Sequence, residues 1–136
     1  MRWLDAVHTW IADELSRHPQ LIVLGDFNIA PDERDVHDPA VWNQDSILTS
    51  TAERAALQRM LGLGLHDSFR LHSDEAGVFS WWDYRMAGFR RNLGLRIDLV
   101  LVSDALKSRA IASGIERAPR TWERPSDHAP VWVEIS

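Results

Sequence analysis

Residues 21–31 read LIVLGDFNIAP. Leu21, Ile22, Val23 and Leu24 form a short apolar run of the kind that becomes a buried strand. The run stops at Gly25 and then delivers Asp26, Phe27 and Asn28. Gly-Asp-Phe-Asn also punctuates a turn well, because Gly, Asp and Asn tolerate unusual backbone angles. A second reading gives the pair a task. In open α/β sheets, ligands bind outside the carboxyl ends of strands. A carboxylate there can take a proton or hold a cation, and an amide can donate to an oxyanion. The decision rests on what else the chain brings to that strand end.

The chain has 136 residues, enough for one modest core, and we treat 1–136 as a single partial domain. Its 45% hydrophobic and 26% charged content is ordinary for a globular protein. No apolar run approaches the roughly 20 residues of a membrane helix, and the acid-containing N-terminus is unlike a secretory signal. The absence of cysteine excludes disulfide and thiolate chemistry and fits a cytoplasmic setting. A net charge of −5 argues against a globally basic nucleic-acid coat protein but leaves room for a local basic patch. Of the seven tryptophans, Trp3, Trp10 and Trp132 are assigned to the core.

Periodicity outlines the elements. Trp3, Leu4, Val7, Trp10, Ile11 and Leu15 make one helical stripe over residues 2 to about 18, stopped at His18-Pro19. The short link to the strand at Leu21 suits an α/β layer fold. Residues 29–49 look like a loop. Ser50 with Glu53 forms a capping box for a helix through Met60, ended by Gly62 and Gly64. Residues 65–77 look irregular or briefly helical. Strands are expected at Val78–Trp81, Leu95–Val102, 111–117 and Ala129–Ile135, with Val131, Val133 and Ile135 pointing inward. A short helix is expected from Ser103 to about Ala110.

Two further polar insertions interrupt apolar strands. Asp98 sits inside LRIDLVLV, and a carboxylate there is expensive to bury without a partner. Arg96 is a weak candidate, whereas an imidazole N–H would satisfy the carboxylate and be oriented by it. Ser126-Asp127-His128 offers that imidazole immediately before the last strand. An aspartate behind a histidine fixes the tautomer and stabilises the imidazolium. Asp26, Asn28, Asp98, Asp127 and His128 are therefore expected to form one constellation. Carboxylates without cysteine suit Mg²⁺ or Mn²⁺ rather than zinc. The matching chemistry is metal-assisted phosphodiester hydrolysis by water.

GDFNIAP, FSWWDYR, GLRIDLVLVS and SDHAPVWVEI, in this order and spacing, resemble the exonuclease III and AP endonuclease family of the endonuclease/exonuclease/phosphatase superfamily. The resemblance implies the C-terminal half of a four-layer α/β sandwich, a mixed and mostly antiparallel sheet flanked by helices. It implies that Asp26 orients or deprotonates the attacking water and that Asn28 contacts the scissile phosphate. Asp98 would support His128, which would stabilise charge on the phosphate, and Asp127 would lie at or near the metal with Asp26. The implied substrates are double-stranded DNA 3′ ends and abasic sites. Trp81, Trp82, Tyr84, Arg85, Arg90 and Arg91 fall on a DNA-contact loop. From Tyr84 to Ile97 there is no acid, and Arg85, Arg90, Arg91 and Arg96 make a local basic patch beside aromatics.

The same resemblance implies that the main metal-binding glutamate, a nearby asparagine and a tyrosine belong to an N-terminal half with no counterpart in residues 1–20. Glu14 is expected to face away from the site. The chain alone is expected to be weakly active or inactive, and to expose apolar surface that favours self-association. A non-catalytic DNA-binding remnant and another superfamily phosphodiesterase are the alternatives.

Overall fold

A computed structural model describes residues 2–136, with the side chain of Arg2 not described. Helix α1 (Arg2–Arg17) leads into strand β1 (Ile22–Asp26), followed by helix α2 (Thr51–Leu61). Strand β2 (Leu65–Asp67) and helix α3 (Ser68–His72) come next. Strands β3 (Trp81–Trp82) and β4 (Gly94–Leu95) pair with each other, and β5 (Asp98–Ser103) precedes the short helix α4 (Asp104–Lys107). Strands β6 (Ala110–Ile115) and β7 (Val131–Ile135) close the chain. The central sheet runs β1-β5-β2, and each of its described pairings is antiparallel.

Alternation on β5 divides the layers. Leu99 and Leu101 pack with Leu4, Ile11, Leu57 and Met60 from α1 and α2. Val102 packs on the other face with Ala110, Val133 and Ile135 of the β6–β7 ribbon. Val131, Val133 and Ile135 are half-buried while Trp132 and Glu134 are exposed, so the inward alternation read on β7 holds. The capping box of α2 also holds: Ser50 Oγ accepts from the Glu53 N–H, and the Glu53 carboxylate accepts from Ser50. Among the described residues no helix is long and apolar enough to cross a membrane.

Several expectations are corrected. Trp3, Trp10 and Trp132 are not core residues; they are 61%, 62% and 42% exposed. Leu4 and Ile11 own the buried stripe of α1, and Trp3 and Trp10 each sit one residue earlier, about 100° round the helix, while Trp132 takes an outward position of β7. Residues 65–77 hold the brief helix that is one of the two readings, α3, and in addition the strand β2. The strand read as Leu95–Val102 is two pieces. Between them Arg96 turns inward, and Ser80 Oγ accepts from the Ile97 and Asp98 N–H groups at 3.0 Å. The helix after Ser103 ends at Lys107, and β7 starts at Val131.

Arg96 is 1% exposed and anchors a buried ionic network. Its Nε donates to Asp35 Oδ1 at 2.7 Å, and its Nη1 and Nη2 grip Asp67 at 3.1 and 2.6 Å. Arg70 Nη2 also donates to Asp35, at 2.6 Å. Removing one member of a buried pair strands the rest in low dielectric. Arg96→Ala should therefore lower stability by about 3–5 kcal/mol in urea unfolding. A variant as stable as the parent would contradict that account.

Candidate functional site

The β1–β5 register places Asp26 directly opposite Asp98 at one end of the sheet. Gly25 has φ +144, a backbone angle that side chains avoid, and it re-aims the chain just before Asp26. Asn28 follows with φ +52, and its N–H donates to Asp26 Oδ1 at 2.9 Å, closing an Asx turn. Phe27 is buried in the helix-side core and its N–H donates to Ile97 O. Both polar side chains are thereby held outside while the residue between them is anchored inside.

His128 arrives on the loop before β7. Its Nδ1 lies 2.8 Å from Asp98 Oδ2. With Asp98 ionised, Nδ1 is the protonated nitrogen, which leaves Nε2 facing the site, 3.6 Å from Asp26 Oδ2 and 3.9 Å from Asp127 Oδ1. The partner expected for Asp98 is thus His128; Arg96 is committed to Asp35 and Asp67. Half-burial by itself favours the neutral His128 ring. The Asp98 hydrogen bond and the charges of Asp98, Asp26 and Asp127 outweigh it and raise the imidazole above its ordinary value. Burial raises the Asp98 carboxyl, and hydrogen bonds from His128 and Ser80 only partly counter that.

The loop of His128 is tied to the FSWWDYR segment. Trp81 and His128 form an isolated antiparallel bridge, and Ala129 N donates to Ser80 O at 2.7 Å. Trp81 Nε1 donates to Asp127 Oδ2 at 3.0 Å, and Trp82 N donates to Asp127 O at 3.1 Å. Tyr84 Oη reaches Pro125 O at 2.7 Å. Ser80, whose hydroxyl and carbonyl serve both Asp98 and the histidine loop, was not singled out from sequence, although it lies inside that segment.

Trp82 departs from its expected surface role. It is fully buried, donates Nε1 to Asn92 Oδ1, and meets Phe89 edge to face at 5.0 Å. Arg117 and Arg120 lie over the Trp82 and Phe89 rings. Gly94 is required beneath it, since a Cβ there would sit 2.6 Å from Trp82 Nε1. Trp82 supports the loop from below and has no face free for stacking. The basic patch is also smaller than its sequence suggests. Arg96 is buried and paired, and Arg85 grips Asp83, whose carboxyl its hydrogen bonds hold down to about 2. Arg90 and Arg91 remain exposed, with Arg91 also donating to Met86 O. Trp81 is half-buried and Tyr84 is 60% exposed.

Asp26, Asp98 and His128 present donor atoms within 4.8 Å of one another. Asp98 and His128 already engage each other, which leaves Asp26 as the free carboxylate of the three, while Asp127 Oδ1 lies 3.9 Å from the same His128 Nε2. Two carboxylates suit a hard divalent ion but fall short of the six or more ligands it takes. Glu14 pairs with Arg17 on α1.

Comparison with known proteins gives this geometry a setting. The model of the Endonuclease/Exonuclease/phosphatase family matches residues 1–128. Exodeoxyribonuclease III of Haemophilus influenzae is 39% identical over 132 residues, covering 93% of this chain and 49% of that protein. The exodeoxyribonuclease of Bacillus subtilis is 37% identical over 137 residues, covering 100% and 52%. A 3′-5′ exonuclease structure from Neisseria meningitidis aligns with TM-score 0.95 and 45% identity over 98% of this chain and 52% of its own. An AP endonuclease structure from Archaeoglobus fulgidus aligns with TM-score 0.91 and 29% identity, with the same coverage of 98% and 52%. The chain spans about half the length of the curated relatives it matches. The chain belongs to the endonuclease/exonuclease/phosphatase family, and its sequence and fold relatives in that family include exodeoxyribonucleases and AP endonucleases.

Proposed function

We propose that this chain is the C-terminal portion of a metal-dependent DNA-repair nuclease that hydrolyses phosphodiesters at 3′ ends and abasic sites of double-stranded DNA. The observation that carries the reading is the Asp26–Asp98 register, closed by His128 with Nδ1 toward Asp98 and Nε2 toward Asp26. Asp98 holds the imidazole in one tautomer and favours its protonated form. A protonated Nε2 then donates to a phosphate oxygen as charge builds in the transition state. The exposed Asn28 amide supplies a second donor. Asp26 accepts the proton of the attacking water. Asp127 and Asp26 would hold Mg²⁺ or Mn²⁺, which supplies Lewis-acid polarisation of the phosphate when bound.

Substrate choice follows from the loop above the site. Trp81 and Tyr84 present aromatic surface, and Arg85, Arg90 and Arg91 present guanidinium groups beside it. That combination takes phosphate and base together.

The reading predicts that two carboxylates are too few for full activity. With Mg²⁺ and an abasic duplex, the 136-residue chain alone should cleave weakly or not at all. Adding the N-terminal half of the Haemophilus exodeoxyribonuclease III in trans should restore cleavage, and His128→Ala or Asp26→Asn should then reduce it by roughly 10²–10⁴-fold. Robust cleavage by the isolated chain would sink the metal argument. The uncovered face of β1, where Leu24 is 66% exposed beside Trp10, should drive self-association. Sedimentation should show species heavier than a monomer; a clean, stable monomer would count against it. On duplex DNA, Arg90→Ala with Arg91→Ala should reduce the salt slope of log affinity by about 2. An unchanged slope would remove these residues from the interface.

A further inference from the structure

Residues 117–125, between β6 and the histidine loop, read RAPRTWERP, three arginines and one acid in a chain whose net charge is −5. A 3-10 turn over Ala118–Thr121 shapes the segment, and Trp122 N closes it by donating to Pro119 O at 3.2 Å. The turn sends Arg120 in and Trp122 out. Arg120 is 7% exposed and lies over the rings of Trp82, Tyr84 and Phe89, 5.7, 5.4 and 4.9 Å from their centroids. Its Nε has no hydrogen-bond partner, and among the described residues no carboxylate pairs with Arg117, Arg120 or Arg124. Arg96, also buried, is held by two aspartates. Aromatic faces stabilise a guanidinium but do not neutralise it. Arg117 lies over the Trp82 and Phe89 rings as well and adds an exposed cation. Trp122 falls between Arg120 and Arg124 and is 64% exposed; among the described residues its indole meets no other ring and makes no hydrogen bond. The turn therefore presents positive charge that no ion pair cancels, together with an open π-face.

We propose that this turn binds the unpaired DNA strand beside a recessed 3′ end, with phosphates at Arg117 and Arg124 and a base on Trp122. The proposal rests on the nuclease reading and names a part of the substrate that reading does not place. An aromatic ring among guanidiniums suits a single strand, because a base can stack on protein only where neighbouring bases leave its face uncovered. Within a duplex both faces are covered. The proposed reaction itself makes an unpaired strand, since removing nucleotides from a 3′ end uncovers the complementary one. Position agrees with this. Tyr84 Oη donates to Pro125 O at 2.7 Å, which ties the end of the turn to the loop that carries Arg85. His128 follows three residues after Pro125. One DNA end can therefore meet the duplex-facing arginines, the site and the turn together. Each cut lengthens the unpaired strand, so the turn holds the protein on a partly digested end more firmly than on a blunt one.

The test titrates the 136-residue chain, in metal-free buffer, with a blunt duplex and with the same duplex carrying a short unpaired 5′ thymidine tail. Backbone and tryptophan indole resonances are read by NMR. We expect both duplexes to move Arg90 and Arg91 and only the tailed one to move the Trp122 indole. The tailed duplex should bind about tenfold more tightly. Trp122→Ala should remove that preference, and Trp122→Phe, which keeps a ring, should retain it. Arg124→Gln should lower the salt slope of log affinity by about 0.7 for the tailed duplex and leave it unchanged for the blunt one. Equal affinity for the two duplexes, an indole that the tail does not move, or a preference that survives Trp122→Ala would overturn the proposal; if Arg90 and Arg91 still respond, the nuclease reading stands without it. A tail response at Trp122 with none at Arg90, Arg91 or Asn28 to either duplex would instead keep the turn and reject the nuclease reading.

Discussion

The antiparallel pairing of β1 with β5 is the constraint on which the site depends. It sets Asp26 against Asp98. Side chains alternate along each strand, so a slip of one residue would send each carboxylate to the opposite face. The register is secured by what lies between and behind the two aspartates. Phe27 is driven into the core with Leu99 and Leu101, and Ser80 captures the N–H groups of Ile97 and Asp98. Hydrophobic burial therefore fixes the position of groups that are themselves hydrophilic. Asp98 retains its place because His128 supplies the hydrogen bond that burial would otherwise deny it.

A second layer of polar interactions keeps the loops in place. Asp35, Arg96, Asp67 and Arg70 tie the segment after β1 to the ends of β2 and β4. Trp81 and Tyr84 then tie the aromatic loop to the histidine loop through Asp127 and Pro125. In contrast, among the described residues β1 pairs only with β5, and Ile22 and Leu24 stay exposed beside Trp10. This uneven finish matches the finding that the chain spans about half the length of its curated relatives.

Much of this was legible from residue patterns, for identifiable reasons. Asp98 stood out because a carboxylate inside LRIDLVLV demands a partner, and Asp127-His128 stood out because it offered one. The capping box at Ser50 and the alternation of β7 are local signals, and local signals survive folding. What misled were properties set by tertiary packing. Trp3 and Trp10 share the apolar character of Leu4 and Ile11, and periodicity alone does not decide which side of a stripe meets the sheet. Arg96 looked like a surface cation because Asp35 and Asp67 lie far away in sequence. Trp82 looked like a stacking residue because it lies in the same aromatic segment as Trp81, yet β3 turns it into the core.

The central claim is that His128 is an imidazole oriented and charged by Asp98 within a cluster of carboxylates. Titrating the His128 ring by NMR in metal-free buffer tests it most directly. Asp98, Asp26 and Asp127 all face the ring and favour its charged form. The midpoint should therefore lie above the ordinary 6.5 and fall in Asp98→Asn, which removes the carboxylate hydrogen-bonded to the ring while keeping the side-chain volume. A midpoint at or below 6.5, or one that Asp98→Asn leaves unmoved, would contradict the assembly described for this site.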